Sequence, residues 1–502
     1  MTRILTLATL PPLIVFAETP CERLKSVALG DAVVMAVETV AAGPYQLPWT
    51  PPGTAPPVLP QHCRVALTMT PTSDSDIKAE LWLPLAGEWN GKFVAVGNGG
   101  FAGAINYYAM PGMLREGYAT ASTDTGHQGP GARFALGHPE KVVDFAYRAV
   151  HEMTVKAKAI ISAHYGRGPK LSYWSGCSTG GRQGLMSAQR YPDDYDGIIA
   201  SAPANGQIRQ SAWRLALLSV ARRDPARAIP QAKLDLLNRA VLAACDRLDG
   251  VKDGFLTDPT KCYFDPAALL CRGADGDNCL TAPQLESVRM AYSPLRKQNG
   301  DVIYPGVVPG GESGWDLLLP MPENAPLGMD AALFLFIAHQ DPTWDWRTFD
   351  SENDTALALE RAGFIEATNP DLSAFKARGG KLLIFHGWND GGAGGAISAL
   401  NTIDYYSGVL AKMGPKQDEW LRLFMVPGMG HCGGGPGPNQ FNSLAALERW
   451  REQGKAPERI VASRVVDNRV DMTRPLCPYP KVAVYTGVGS ASDAENFVCL
   501  VP

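Results

Sequence analysis

Beyond its N-terminus the chain has no apolar run approaching the roughly 18 residues a membrane span requires, so no membrane-spanning segment is expected in the mature protein. It lacks a surplus of charge: 46 Lys and Arg stand against 50 Asp and Glu. No basic run interleaves with aromatic residues, which argues against nucleic acid as a partner and for neutral or weakly charged small substrates. The C-x-x-C and H-x-x-x-H spacings of zinc sites are missing, although ten cysteines are present. Disulfides are the better reading of that even number. No internal repeat is visible. What is present is a 502-residue chain, 45% hydrophobic, long enough for one large core with a substantial insertion, or for two domains.

At the N-terminus Arg3 precedes an apolar stretch over 4–17, and Val15-Phe16-Ala17 places small residues where a signal peptidase cuts. Export with cleavage near Ala17 is the expectation, to the periplasm or outside the cell, where disulfides persist. Because Pro11 and Pro12 interrupt the stretch and Arg3 is the lone basic residue, an ordinary apolar N-terminus or a misplaced start is the alternative.

Short apolar runs bounded by glycine occur at 92–96, 170–174, 197–200, 381–385 and 421–426, and read as buried, mostly parallel strands. Helices are expected between them at 151–165, 182–190 and 395–413. This alternation predicts a doubly wound α/β sheet. Between about 205 and 368 the rhythm changes: Cys245, Cys262, Cys271 and Cys279 crowd together, then a Pro/Gly-rich, tryptophan-containing stretch follows. An inserted lid is expected at 205–368, with the core at 18–204 and 369–502. The residues before about 90 are expected to wrap the core in Pro/Gly-rich loops.

Gly176-Cys177-Ser178-Thr179-Gly180 follows an expected strand and precedes an expected helix, the setting in which a sharp turn lifts a serine hydroxyl above a sheet. The pentapeptide alone is weak, since glycine turns with a serine arise by chance. In the α/β-hydrolase order an acid and then a histidine follow the serine. His431 stands in the glycine-rich loop after the last apolar run, where a core histidine would be out of place. Asp390 stands in the loop after the preceding run and is the expected acid, with a helix N-cap role as its alternative and Asp196 as the fallback acid. His386 reads as a packed or supporting residue.

The oxyanion that forms from an ester carbonyl needs two fixed N–H donors, expected from Thr179 and from Gly100 in Gly97-Asn98-Gly99-Gly100, with Gly99 the neighbour open to confusion. A glycine turn needed only for positive φ is the bland alternative. Proton transfer requires Ser178 and His431 to approach to about 3 Å. Their neighbours Cys177 and Cys432 then come within the roughly 4.4–6.8 Å a disulfide demands, so serine, histidine and bridge support one another.

Gly176-Cys-Ser-Thr-Gly-Gly-Arg182-Gln, Tyr191-Pro-Asp-Asp-Tyr-Asp-Gly197, His386-Gly-Trp-Asn-Asp390, Val426-Pro-Gly-Met-Gly-His-Cys432 and Arg474-Pro-Leu-Cys-Pro-Tyr-Pro480 resemble signatures of the tannases and feruloyl esterases, a family that includes mono(2-hydroxyethyl) terephthalate hydrolases. The resemblance implies an α/β-hydrolase core with an inserted lid, and Ser178, Asp390 and His431 as triad. It also implies the pairs Cys177–Cys432, Cys21–Cys63, Cys245–Cys262, Cys271–Cys279 and Cys477–Cys499. It further implies a structural calcium in the lid, held by the Asp246, Asp249 and Asp253 side chains and the Val251 and Phe255 carbonyls. Without it the acidic loop would read as a solvated turn, because no EF-hand spacing is present.

No organic cofactor is implied. The implied reaction is hydrolysis of a small aromatic ester through an acyl-enzyme, hydroxycinnamate (feruloyl) esters first and gallate esters next. No lid arginine matches the one terephthalate monoester hydrolases use for the free carboxylate. A catalytically silent hydrolase-fold binding protein and a lipase or polyester depolymerase are the rivals. Asp124-Thr125-Gly126-His127 also resembles a family signature and is expected to support the floor of the site. Trp315, Trp344 and Trp346 are candidates for pocket walls, though most tryptophans there simply pack.

Overall fold

The structure, a computed structural model, describes residues 19–48, 53–101, 103–322, 325, 328–391 and 397–501. The 1–17 stretch expected to be a signal peptide lies outside the described residues. Among the described residues nine strands form one sheet: β1 (Ala32–Val40), β2 (His62–Met69), β3 (Ile77–Pro84), β4 (Lys92–Val96), β5 (Ala119–Thr123), β6 (Leu171–Cys177), β7 (Gly197–Ser201), β8 (Lys381–Gly387) and β9 (Leu421–Val426). Their spatial order is β1-β2-β3-β5-β4-β6-β7-β8-β9. From β5 to β9 all neighbours are parallel, whereas β1, β2 and β3 meet one another and β5 antiparallel.

The helices that position the site are α1 (Ala149–Tyr165), α2 (Thr179–Arg190), α3 (Gln207–Arg223), α4 (Met329–Leu333), α5 (Ala399–Met413) and α6 (Ser443–Gln453). Strand side chains alternate between faces, so Trp174, Ile198 and Ile384 pack with α1, α2 and α5, while Tyr173, Ile199 and Phe385 pack with Leu447 and Trp450 of α6. Both faces of the parallel strands are therefore covered, which is why these strands read as unbroken apolar runs. This is an α/β-hydrolase fold with a mostly parallel sheet.

One expectation shifts. The first 90 residues do not merely wrap the core: β1, β2 and β3 extend the same sheet, and Cys21–Cys63 ties the N-terminal turn to β2. Their period-two burial is interrupted by the Pro/Gly loops that dominate the sequence there. β5, Ala-Thr-Ala-Ser-Thr, is wholly buried yet contains no large apolar residue, so a search for apolar runs passes over it. The connection from β7 to its parallel neighbour β8 runs through 202–380, which encloses the 205–368 segment. It contains Cys245–Cys262 and Cys271–Cys279, and it packs Ile208, Phe334 and Ile365 against the core residues Phe101 and Phe145. Among the described residues no helix is long and apolar enough to cross a membrane.

Candidate active site

β4 lies between β5 and β6, so successive connections leave it on opposite sides and open a crevice above the carboxyl ends of β4 and β6. Ser178 sits at that point. β6 runs through Cys177 and α2 begins at Thr179, leaving Ser178 alone to turn the chain at φ 63° and ψ −122°. A non-glycine residue held there stores on the order of 1–3 kcal/mol of strain. Its N–H donates to Ser201 O at 3.0 Å, and its carbonyl accepts from Arg182 and Ala204. The flanking glycines are sterically required: a Cβ on Gly176 would meet Gly180 backbone at 2.5 Å, and one on Gly181 would meet Ser201 O at 2.5 Å.

Across the crevice, His431 Nδ1 lies 2.7 Å from Asp390 Oδ2. Asp390 also takes His386 Nε2 at 3.0 Å on the same oxygen, and the Ile397 N–H at 3.3 Å on the other. Burial pushes the Asp390 carboxyl upward, but its hydrogen bonds to His386 and His431 outweigh this and hold it below the usual carboxylate range. An ionised Asp390 only accepts, so His431 Nδ1 is the donor, and it is the neutral imidazole of that tautomer that offers a lone pair at Nε2. Among the described residues the next helix is α5, which starts at Ala399 with Ser398 as its N-cap, so Asp390 does not cap it. Asp196 lies at the opposite end of the sheet, just before β7, where it accepts from the Ser172 N–H. His386 is fully buried and takes Thr402 Oγ1 on its other nitrogen at 2.8 Å, which fixes its ring.

Cys177 and Cys432 are disulfide-bonded with Cα atoms 5.8 Å apart across a sequence separation of 255, joining the serine turn to the histidine loop. Cys477–Cys499 closes the C-terminal hairpin. Among the described residues, neither Ser178 Oγ nor His431 Nε2 has a hydrogen-bond partner, and both residues border one cavity.

The loop after β4 is held by a polar frame that the sequence did not advertise. Asn98 uses every group it has: Nδ2 donates to Ala104 O and Thr123 O, Oδ1 accepts from Gln183 Nε2, N–H donates to Gln183 Oε1, and its carbonyl accepts from the Gly180 N–H. Thr179 Oγ1 donates to Gly100 O at 2.8 Å, so the two residues expected to supply N–H donors are tied together. Among the described residues neither of those N–H groups has an acceptor. His127 Nε2 hydrogen-bonds Phe101 O at 2.7 Å, which gives the Asp124–His127 turn its place beneath this loop. Asp124 accepts the Lys78 and Gly126 N–H groups, each at 2.9 Å, yet burial pushes its carboxyl up to about 7.

The cavity, of about 950 Å³, is walled by Phe101, Ile199, Phe385, Met429, Phe441 and the α4 residue Met329. The candidate tryptophans are elsewhere: Trp315 packs edge-on to Tyr292, Trp344 stacks on His339, and Trp346 lies against Arg347. The wall is thus built mostly by phenylalanines and methionines from segments far apart in the chain, and of these only Met429 stands inside a quoted motif, where nothing marks it as a wall residue. Asn98 and Gln183 did lie inside quoted motifs, where a polar residue among glycines was the available signal.

Calcium was expected at 246–255. Asp246 accepts N–H groups from Asp253 and Gly254, Asp249 accepts the Val251 N–H and the Thr257 hydroxyl, and Arg474 donates to Asp253 Oδ2. Asp253 Oδ1 is buried without a partner. Burial, reinforced by Asp249 and Asp246 and opposed by Arg474, pushes Asp253 up to about 6. An orphaned carboxylate oxygen among neighbouring carboxylates fits a hard divalent cation. The three carboxylates are nonetheless spread: among the described residues, the sets of three potential ligand atoms within 4.8 Å of one another are Cys177, His431, Cys432 and Cys271, Asp275, Cys279, each containing a disulfide.

A family model described as tannase and feruloyl esterase matches residues 63–500. An uncharacterised esterase of Xanthomonas campestris pv. campestris is 37% identical over 96% of this chain and 92% of its own length. A probable feruloyl esterase B-2 of Aspergillus terreus is 34% identical over 88% of this chain and 86% of its own length. The crystal structure of feruloyl esterase B from Aspergillus oryzae superposes with a TM-score of 0.88 at 32% identity, covering 96% of this chain and 99% of that one. A tannin acyl hydrolase from Aspergillus niger, at 23% identity and a TM-score of 0.79 over 96% of this chain and 94% of its own, shares the fold. Matched along most of its length by the family and by relatives that are esterases, the chain belongs to the tannase and feruloyl esterase family and is a carboxylic ester hydrolase.

Proposed function

We propose that this protein is an exported serine esterase that hydrolyses esters of aromatic acids, with feruloyl and other hydroxycinnamoyl esters as the preferred class. Ser178 Oγ attacks the ester carbonyl carbon while His431 Nε2 takes its proton, and the oxyanion is received by the N–H groups of Thr179 and Gly100. His431 returns the proton to the departing alcohol, and a water activated by the same nitrogen releases the acid from Ser178. Asp390 holds the imidazole tautomer and stabilises the imidazolium. The reading is carried by the 2.7 Å contact between His431 and an ionised, buried Asp390, opposite a serine held at φ 63° in the same cavity. In this reading the contact between Ser178 and His431 tightens when substrate closes the crevice.

The 205–368 segment acts as the lid, with 18–204 and 369–502 as the catalytic core. The loop at 246–255 holds a structural calcium through Asp246, Asp249 and Asp253 with the Val251 and Phe255 carbonyls, and takes no part in the chemistry. Five disulfides favour an oxidising compartment, periplasmic or extracellular. The names of the relatives favour hydroxycinnamate over gallate esters. Rates on methyl ferulate, chlorogenate, methyl gallate and the terephthalate monoester, with Ser178→Ala as control, test the reading. Gallate hydrolysis alone would overturn the preferred class, and an unimpaired Ser178→Ala would overturn the mechanism.

A further inference from the structure

Asp390 stands on the stretch 387–391 that follows β8, and this stretch is clamped from two sides. On one side is the chain leading to His431: the Trp388 N–H donates to Val426 O at 3.0 Å, and the Asn389 N–H donates to Met429 O at 2.9 Å. Gly387 meets the same Met429 carbonyl so closely that no Cβ would fit. On the other side are residues 310–315 of the β7–β8 connection, and both neighbours of Asp390 rest on them. Asn389 Nδ2 donates to Gly310 O at 2.7 Å, and a Cβ on Gly311 would come to 3.2 Å from Asn389 Cα. A Cβ on Gly391 would lie 2.9 Å from Trp315 Nε1. The 310–315 segment is itself held from behind. Asn238 Nδ2 donates to Gly310 O at 3.0 Å and to Glu312 Oε2 at 2.7 Å, while Glu312 Oε1 accepts the Tyr292 hydroxyl at 2.6 Å and the Gly310 N–H at 2.8 Å. Glu312 is wholly buried, so these bonds are shielded from water and hold the segment firmly.

We propose that Asn389 is a positioning residue whose amide couples the β7–β8 connection to the triad, so that the connection holds the Asp390 carboxylate in line with His431. This rests on the proposed Ser178–Asp390–His431 mechanism and adds what keeps its acid in place. A carbonyl only accepts, so the Asn389 amide nitrogen must face Gly310 O, and a side chain without a donor cannot replace it. The backbone of Asn389 is thus tied to the histidine loop and its side chain to the connection. Without that side chain the second tie is lost, and the peptide entering Asp390 turns about its remaining bonds to Met429 and Gly387. Gly310 O keeps Asn238 as a donor, so the loss leaves no carbonyl stranded. The effect therefore falls on geometry rather than on stability, and a misplacement of about 1 Å costs about 100-fold in rate.

The test measures kcat and KM on methyl ferulate, and the thermal midpoint, for the purified full chain and its variants. Asn389→Ala should lose about 10- to 100-fold in kcat, with KM within about twofold of wild type and a thermal midpoint within about 2 °C. Asn389→Leu, close in shape but without a donor, should lose kcat likewise and covers the case in which the alanine variant folds poorly. Gly311→Ala probes the coupling from the far side: its Cβ presses on the Asn389 backbone, and kcat should fall about threefold with KM unchanged. Asp390→Asn is run in parallel. If Asp390→Asn is crippled while the Asn389 variants keep wild-type kcat, or lose only thermal midpoint, the coupling is overturned and the triad stands. Gly311→Ala with wild-type kcat also overturns the coupling. If Asp390→Asn keeps wild-type kcat, the triad reading falls and the coupling falls with it.

Discussion

Asp124 and Asp390 are both 3% exposed and both follow strands of the same sheet, yet their chemistry is opposite. Burial pushes Asp124 up to about 7, while Asp390 stays below the usual carboxylate range despite its burial. The difference lies in the partners. Asp124 is met by two backbone N–H groups, which are neutral, whereas Asp390 is met by two imidazoles that can carry charge. Asp253 falls between, with one oxygen on Arg474 and the other orphaned. Depth alone therefore does not set the state of a carboxylate in this protein. The donors around it do, and they sort one buried aspartate to a turn, one to the histidine and one to the acidic loop.

The strongest way to break this contrast is Asp390→Asn. The amide would donate where His431 Nδ1 also donates, forcing the wrong tautomer, and kcat should fall about 10⁴-fold. A variant keeping a tenth of wild-type kcat on methyl ferulate would remove Asp390 from its assigned role.

Asp124→Asn probes the other pole. With a reference value of 3.8 and a folded value of about 7, the unfolded chain ionises at lower pH than the folded one. Wild-type stability should therefore decline as pH rises from about 4 to about 7 and level off above, by at most on the order of 4 kcal/mol. Asparagine keeps an oxygen for the two N–H groups and cannot ionise. Denaturation at pH 4 and pH 8 should show the variant gaining on the wild type at the higher pH, and parallel profiles would refute the assignment.

For the intermediate case, calcium at 100 times its Kd should stabilise the protein by about 2.7 kcal/mol. Thermal melting with and without chelator reads this, and Asp253→Asn should lose the response. A wild type indifferent to chelator would sink the calcium proposal.

The smallest effect concerns a buried cation that has no carboxylate partner among the described residues. Burial pushes Arg182 down to about 9, and its guanidinium donates to the Phe145, Ala146 and Ile365 carbonyls while lying over Phe145. Arg182→Lys cannot reach all three carbonyls, and about 2 kcal/mol of stability should be lost. A denaturant midpoint unchanged at constant m would show that these bonds contribute nothing.

Legibility followed the range of the interaction. The turn at Ser178 is dictated by residues 176–181, whose glycines tolerate a backbone approach of 2.5 Å, and the parallel strands are dictated by unbroken apolar runs. Both could be read from neighbouring residues. β5 could not, because its small side chains owe their burial to the helix and strands packed around them. Nor could the tryptophans be placed: they are apolar in sequence, but whether they face a cavity or another ring depends on segments far away. His386 shows the same limit, since its ring is oriented by Thr402 and shares Asp390 with His431.

By itself, the sequence determined the positions of Ser178, Asp390 and His431 on their loops and the disulfide that must accompany them, because strand ends, glycine turns and cysteine neighbours are local features. Only the tertiary structure decided which buried carboxyl is held below the usual range and which is pushed above it, and which phenylalanines wall the cavity. Those outcomes depend on hydrogen-bond donors and packing partners drawn from elements tens to hundreds of residues apart, and only the folded sheet brings them together.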